Sequence, residues 1–156
     1  MRTPTTLALL LLEERDALIT LLVTQRALLT GLVAAPDGTG RPEALQRAVA
    51  DSNRLRRRML DRDLEVFALA RDRALPADTD LLGVVETTAD PSWRCALETV
   101  LDGLERAAAD LLDLSDRIAD VGLVRGAGAC ARVHPATYRS RRSGAPGSTT
   151  RTGVGW

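Results

Sequence analysis

The sequence predicts an all-α fold: an elongated antiparallel bundle of three long helices with a flexible C-terminal tail. Three observations predict it. Apolar residues recur at helical spacing through three long stretches. Each stretch opens with a proline near its first turn, at Pro4, Pro42 and Pro91. Proline suits that place because its missing N–H would be unpaired there in any residue. The third observation is a charge split. All 21 acidic residues stand at or before Asp120. Arg125, Arg132, Arg139, Arg141, Arg142 and Arg151 follow with no acid among them. A folded acidic body with a basic tail is the pattern expected, with the body over 1–133 and the tail over 134–156. Aromatic residues make up only 3 % of the chain, so the core must be aliphatic.

The first helix is expected from Thr5 to Val33. Leu7, Leu11, Leu18, Leu21, Leu22, Leu28, Leu29 and Leu32 give it a broad apolar face, interrupted by Glu14 and Gln25. It stops in the breaker-rich run Ala34 to Gly40. The second helix is expected from Pro42 to Ala74. Leu45, Ala48, Val49, Leu55, Met59, Val66, Phe67, Leu69 and Ala70 form its face, weakened by Ser52 and Arg62. Leu75-Pro76 closes it. Residues 76–89 read as a connector in which Leu81 to Val85 form one helical turn that plugs the bundle end.

The third long helix runs from Asp90 to Val121 and carries the strongest pattern. Trp93, Leu97, Val100, Leu104, Ala107, Leu111, Leu114, Ile118 and Val121 keep an unbroken 4–3 spacing. Sustained over roughly four heptads, that period lays one apolar stripe along one face. Asp90 is placed to cap the helix, and Trp93 is expected to anchor its start in the core. Beyond Val121 the pattern decays, because Gly122, Gly126 and Gly128 each cost about 1 kcal/mol against Ala in a helix.

Catalytic and metal chemistry find little support. His134 is the only histidine, and no carboxylate or thiol is fixed beside it. Asp61, Asp63 and Glu65 stand two apart, so on a helix they do not converge and read as a solvated face. Cys95 and Cys130 have no metal-ligand spacing, and their distance argues for a reduced, cytoplasmic setting. No enzyme activity, cofactor or metal is expected. Arg54, Arg56, Arg57 and Arg58 form a basic cluster, but Asp51, Asp61 and Asp63 flank it, which argues against nucleic acid as a partner. Leu7 to Leu12 lacks the cleavage site of a signal peptide, and no segment is expected to approach the roughly 18 to 20 apolar residues of a membrane span.

The chain resembles the FlgN-type flagellar export chaperones, especially their actinobacterial branch. Glu13 to Gly31 looks like that family's opening helix, and Asp63-Leu64-Glu65-Val66 through Leu75-Pro76 like its second. Asp80 to Val85, followed by Asp90-Pro91-Ser92-Trp93, is similar to its Leu-rich turn and acidic-Pro-Trp helix start. Leu114 to Gly128 resembles its final stretch, with Leu123-Val124 in place of a Leu pair. The likeness covers about residues 7–133 and departs from the family at Val121-Gly122, where a polar pair is common. It implies a cytoplasmic chaperone that binds C-terminal helices of hook–filament junction proteins, keeps them unassembled and delivers them to the flagellar type III export apparatus. The resemblance and the decaying apolar stripe place the client surface at Leu111, Leu114, Ile118, Val121, Leu123 and Val124. The alternative is a helical-bundle structural or adaptor protein that dimerises through the third helix, and after it a small nucleic-acid-binding regulator.

Overall fold

The computed structural model describes residues 4–34, 41–121 and 138. Among them the chain is all-α, with three long helices and one short one. Helix α1 spans Pro4–Ala34, α2 Arg41–Asp72, α3 Leu81–Glu86 and α4 Pro91–Asp120. At 1.5 Å per residue the 31 residues of α1 reach about 46 Å.

Each long helix buries an apolar seam at heptad-like spacing. On α1 the seam is Leu7, Leu11, Glu14, Leu18, Leu21, Gln25, Leu28 and Leu32, all buried. On α2 the same spacing gives Leu45, Ala48, Ser52, Leu55, Met59, Arg62, Val66 and Leu69, with Leu45 and Met59 partly buried. On α4 the buried residues are Leu97, Leu101, Leu104, Ala108, Leu111, Leu114 and Ile118, with Ser115 half-buried beside them. Helices that present such seams pack side by side over a dry aliphatic core.

Helix α1 is the shared partner. It packs on both α2 and α4, while α2 and α4 make no close backbone approach among the described residues. Thr24 donates to Asp51 at 2.7 Å, Arg62 meets Glu14 at 2.8 Å and Arg58 meets Glu13 at 2.8 Å. On the α4 side Ser115 donates to Gln25 at 3.2 Å.

The α4 seam differs from the expected one by its flank. Leu97, Leu104, Leu111, Leu114 and Ile118 belong to both. The buried companions are Leu101 and Ala108, whereas Val100 and Ala107 are half-buried. Trp93 is half-buried and stands outside the core, which corrects its expected role as a core anchor. Trp93 lies in the first turn of α4, one turn before Leu97, where the buried seam begins.

The helix ends are made locally. Asp90 caps α4 by accepting from the backbone N–H groups of Ser92 at 2.8 Å and Trp93 at 3.4 Å. Asp80 caps α3 through Gly83 N–H at 2.9 Å. Helix α2 stops two residues before the expected Ala74, because Ala74 takes a left-handed φ of 53°. Leu75 N–H then bonds Ala70 O and Ala74 N–H bonds Arg71 O, the double closure that ends many helices.

Helix α3 is the expected turn. It buries Leu81, Val84 and Val85 and touches α2 and α4. Two arginines pin this end. Arg73 donates to Val84 O at 2.9 Å, and Arg94 donates to Thr88 O at 2.7 Å.

One expectation is overturned. Helix α1 is long and apolar enough to cross a membrane by length and composition. Residues 17–34 hold a single charge, Arg26. The charged run Glu13 to Asp16 closes the short apolar run Leu7 to Leu12, and the longer apolar stretch lies after it. In the fold 39 % of this stretch is buried inside the protein.

Candidate functional site

The expected client surface is largely used by the core. Leu111, Leu114 and Ile118 are buried, at 1 %, 5 % and 7 % exposure. They cannot meet another chain unless α4 leaves α1. Val121 is exposed, and Leu123 and Val124 lie outside the described residues, as do Cys130 and His134. Cys95 is a free, exposed thiol.

The acidic run on α2 also divides. Asp61 is exposed and pairs with Arg58 at 3.6 Å. Asp63 is exposed and accepts from Arg62 Nε at 2.9 Å and Nη2 at 2.8 Å. Glu65 is buried, against the expectation of a solvated face, because it stands beside Val66 on the side of α2 turned inward. No group of His, Cys, Asp and Glu among the described residues could hold a metal ion.

Two arrangements stand out. The first is a set of exposed apolar residues facing away from the seams. On α1 these are Leu9, Leu12, Ile19 and Val23; on α2 they are Leu60, Leu64 and Phe67. Spacings of three, four and seven keep each set on one side of its helix.

The second is a polar cluster inside the core. Glu14 and Arg62 interrupt the α1 and α2 seams at matching levels, and both are buried. Arg62 Nη1 donates to both oxygens of Glu14, at 2.8 and 3.2 Å. Tyr138 completes the group. It is fully buried, although it belongs to the stretch expected to be a tail. Its hydroxyl donates to Glu14, and its ring centre lies 5.6 Å from the Arg62 guanidinium carbon. That separation allows a cation–π contact.

Burial pushes the Glu14 carboxyl above its ordinary range, while Arg62 and the Tyr138 hydroxyl pull it back. Burial also works against the Arg62 charge, but Glu14 and Asp63 outweigh it and hold the guanidinium proton more tightly than usual. Burial, with Glu14 beside it, drives the Tyr138 phenol far above its ordinary range. The cluster therefore keeps a charged arginine in the core, with carboxylate and phenol arranged around it. A second, milder polar layer lies along the seam at Gln25 and Ser115, and Ser52 Oγ is buried without a hydrogen-bond partner among the described residues.

The polar interruptions Glu14, Gln25, Ser52 and Arg62 were visible in the sequence. That Tyr138 joins two of them was not, because no periodicity surrounds it. Comparison with protein-family models, curated proteins and solved structures returns no match for this chain.

Proposed function

We propose that this chain is a non-enzymatic helical-bundle adaptor of the cytoplasm, which acts by holding a helix of another protein chain. The observation that carries it is the outward apolar set, Leu9, Leu12, Ile19 and Val23 on α1 with Leu60, Leu64 and Phe67 on α2. An apolar helix face left without a partner is what helix-on-helix recognition uses, and each of these two helices carries one. The body in this reading is an antiparallel bundle. The pairs Thr24–Asp51 and Glu14–Arg62 support that arrangement of α1 and α2, since rising numbers on one helix meet falling numbers on the other. The alternative read from the sequence places self-association on the third long helix. With the α4 seam committed to α1, the contact moves to the outer faces of α1 and α2.

Replacing Leu60, Leu64 and Phe67 together with Ser tests this reading. Self-association measured by light scattering should fall while the helical circular dichroism is kept. A wild-type chain that stays monomeric at all concentrations, and captures no helix, would remove the adaptor reading.

A second reading keeps the flagellar export chaperone. It is supported by the resemblance over about residues 7–133, including the helix start at Asp90-Pro91-Ser92-Trp93, where Asp90 acts as the cap. In this reading the client contact falls to Val121, Leu123 and Val124, because Leu111, Leu114 and Ile118 are held in the core. A pull-down with C-terminal helices of hook–filament junction proteins is the test. Capture by the wild type and loss in Leu123→Asp/Val124→Asp are expected. No capture by the wild type ends this reading.

A further inference from the structure

Tyr138 is the only tyrosine of the chain and stands 17 residues beyond Val121. Its side chain is nevertheless 0 % exposed. What receives it is polar. Glu14 accepts from Arg62 and from the Tyr138 hydroxyl, and the Tyr138 ring lies over Arg62. We propose that Tyr138 is a cis latch: its side chain is fastened to the α1–α2 seam through Glu14 and Arg62, and it releases while the bundle stays folded.

The chemistry favours a releasable contact over a fixed core element. A static core is best built from apolar side chains, which need no partner. Here the ring meets a guanidinium and the hydroxyl meets a carboxylate, groups that water can take over once the ring leaves. Arg62 keeps partners on release, since Glu14 and Asp63 remain within 2.9 Å. The two helices are also held together independently of Tyr138, by Thr24–Asp51, by Arg58–Glu13 and by the aliphatic seams. Departure of the phenol therefore uncovers a charged pair without dismantling α1 and α2. A phenylalanine in its place would leave Glu14 one donor short.

The single tyrosine makes the test direct. The full chain is treated with tetranitromethane, and nitration of Tyr138 is followed beside amide hydrogen exchange of α1. In the wild type, nitration should proceed far faster than exchange of the α1 seam amides. In Glu14→Gln it should rise about tenfold or more, the effect of weakening one hydrogen bond to a charged group, and by more than exchange of the α1 seam amides rises. Nitration and α1 exchange that rise together would show Tyr138 to be an ordinary core residue and overturn the latch. So would nitration that ignores Glu14→Gln. Protection of Tyr138 that disappears on dilution would mean that the tyrosine comes from a second copy, which overturns a latch in cis.

Discussion

At the scale of residues, the Glu14–Arg62 pair sets the terms. A buried ion pair is costly to break and seldom the most stable way to fill its space. Arg62→Met alone leaves the buried Glu14 carboxylate without its cation and should cost about 3–5 kcal/mol. Glu14→Leu combined with Arg62→Met should be neutral or stabilising by about 1–4 kcal/mol. Urea unfolding of the two single variants and the double variant closes this cycle. The pH dependence follows from the same site. Arg62, Asp63 and Tyr138 all face Glu14, yet burial prevails and its carboxyl sits above the ordinary 4.5. An acid whose folded pKa is raised stabilises the fold below its unfolded pKa, and that contribution is lost as pH rises through the folded value. The stability of the wild type relative to Glu14→Gln should therefore shrink as pH rises above 4.5. A gap that widens over that range would show that the Arg62 attraction outweighs burial.

At the scale of elements, each helix end has a local cause that substitution can reach. Ala74 holds a left-handed φ of 53° at the α2 terminus, a conformation that disfavours any residue with a Cβ. Ala74→Gly should raise stability by about 1 kcal/mol, measured by thermal unfolding. Packing on α4 separates two residues that the sequence treats alike. Leu104 is fully buried in the seam, so Leu104→Ala should cost about 2–5 kcal/mol. Trp93 is half-buried, and Trp93→Ala should cost nearer 1 kcal/mol. The existence of the helices was legible because their period repeats many times. The expected Thr5–Val33 and the observed Pro4–Ala34 differ by one residue at each end. The edge of the α4 stripe was not legible. Apolar residues stand at Val100 and Leu101, and again at Ala107 and Ala108, so two seams fit the same letters. Only the position of α1 chooses between them. The polar cluster was half legible. Glu14 and Arg62 break their apolar faces, but a lone tyrosine among arginines and glycines carries no sign of where it packs.

At the scale of the whole molecule, α1 gives the fold its character. It is apolar on the seam that α2 and α4 cover and also carries Leu9, Leu12, Ile19 and Val23 on the side they leave open. Its stretch from 17 to 34 could be solvated by lipid or by protein, and the bundle satisfies the seam half of it. With that half already covered, the purified chain should remain in solution without detergent and fail to float with phosphatidylcholine vesicles. Flotation that persists at high salt would instead show that α1 leaves the bundle for the bilayer.

The central place of α1 has a further consequence during synthesis. Residues 4–34 are made before either helix that covers them. The ribosome must add the 38 residues from 35 to 72 before α2 is complete. At about 5–20 residues per second, that is an interval of about 2–8 s. For that time a nascent greasy helix is open to the factors that survey new chains for export or membrane insertion. Any such capture would have to come before α2 arrives, because the finished bundle covers the α1 seam.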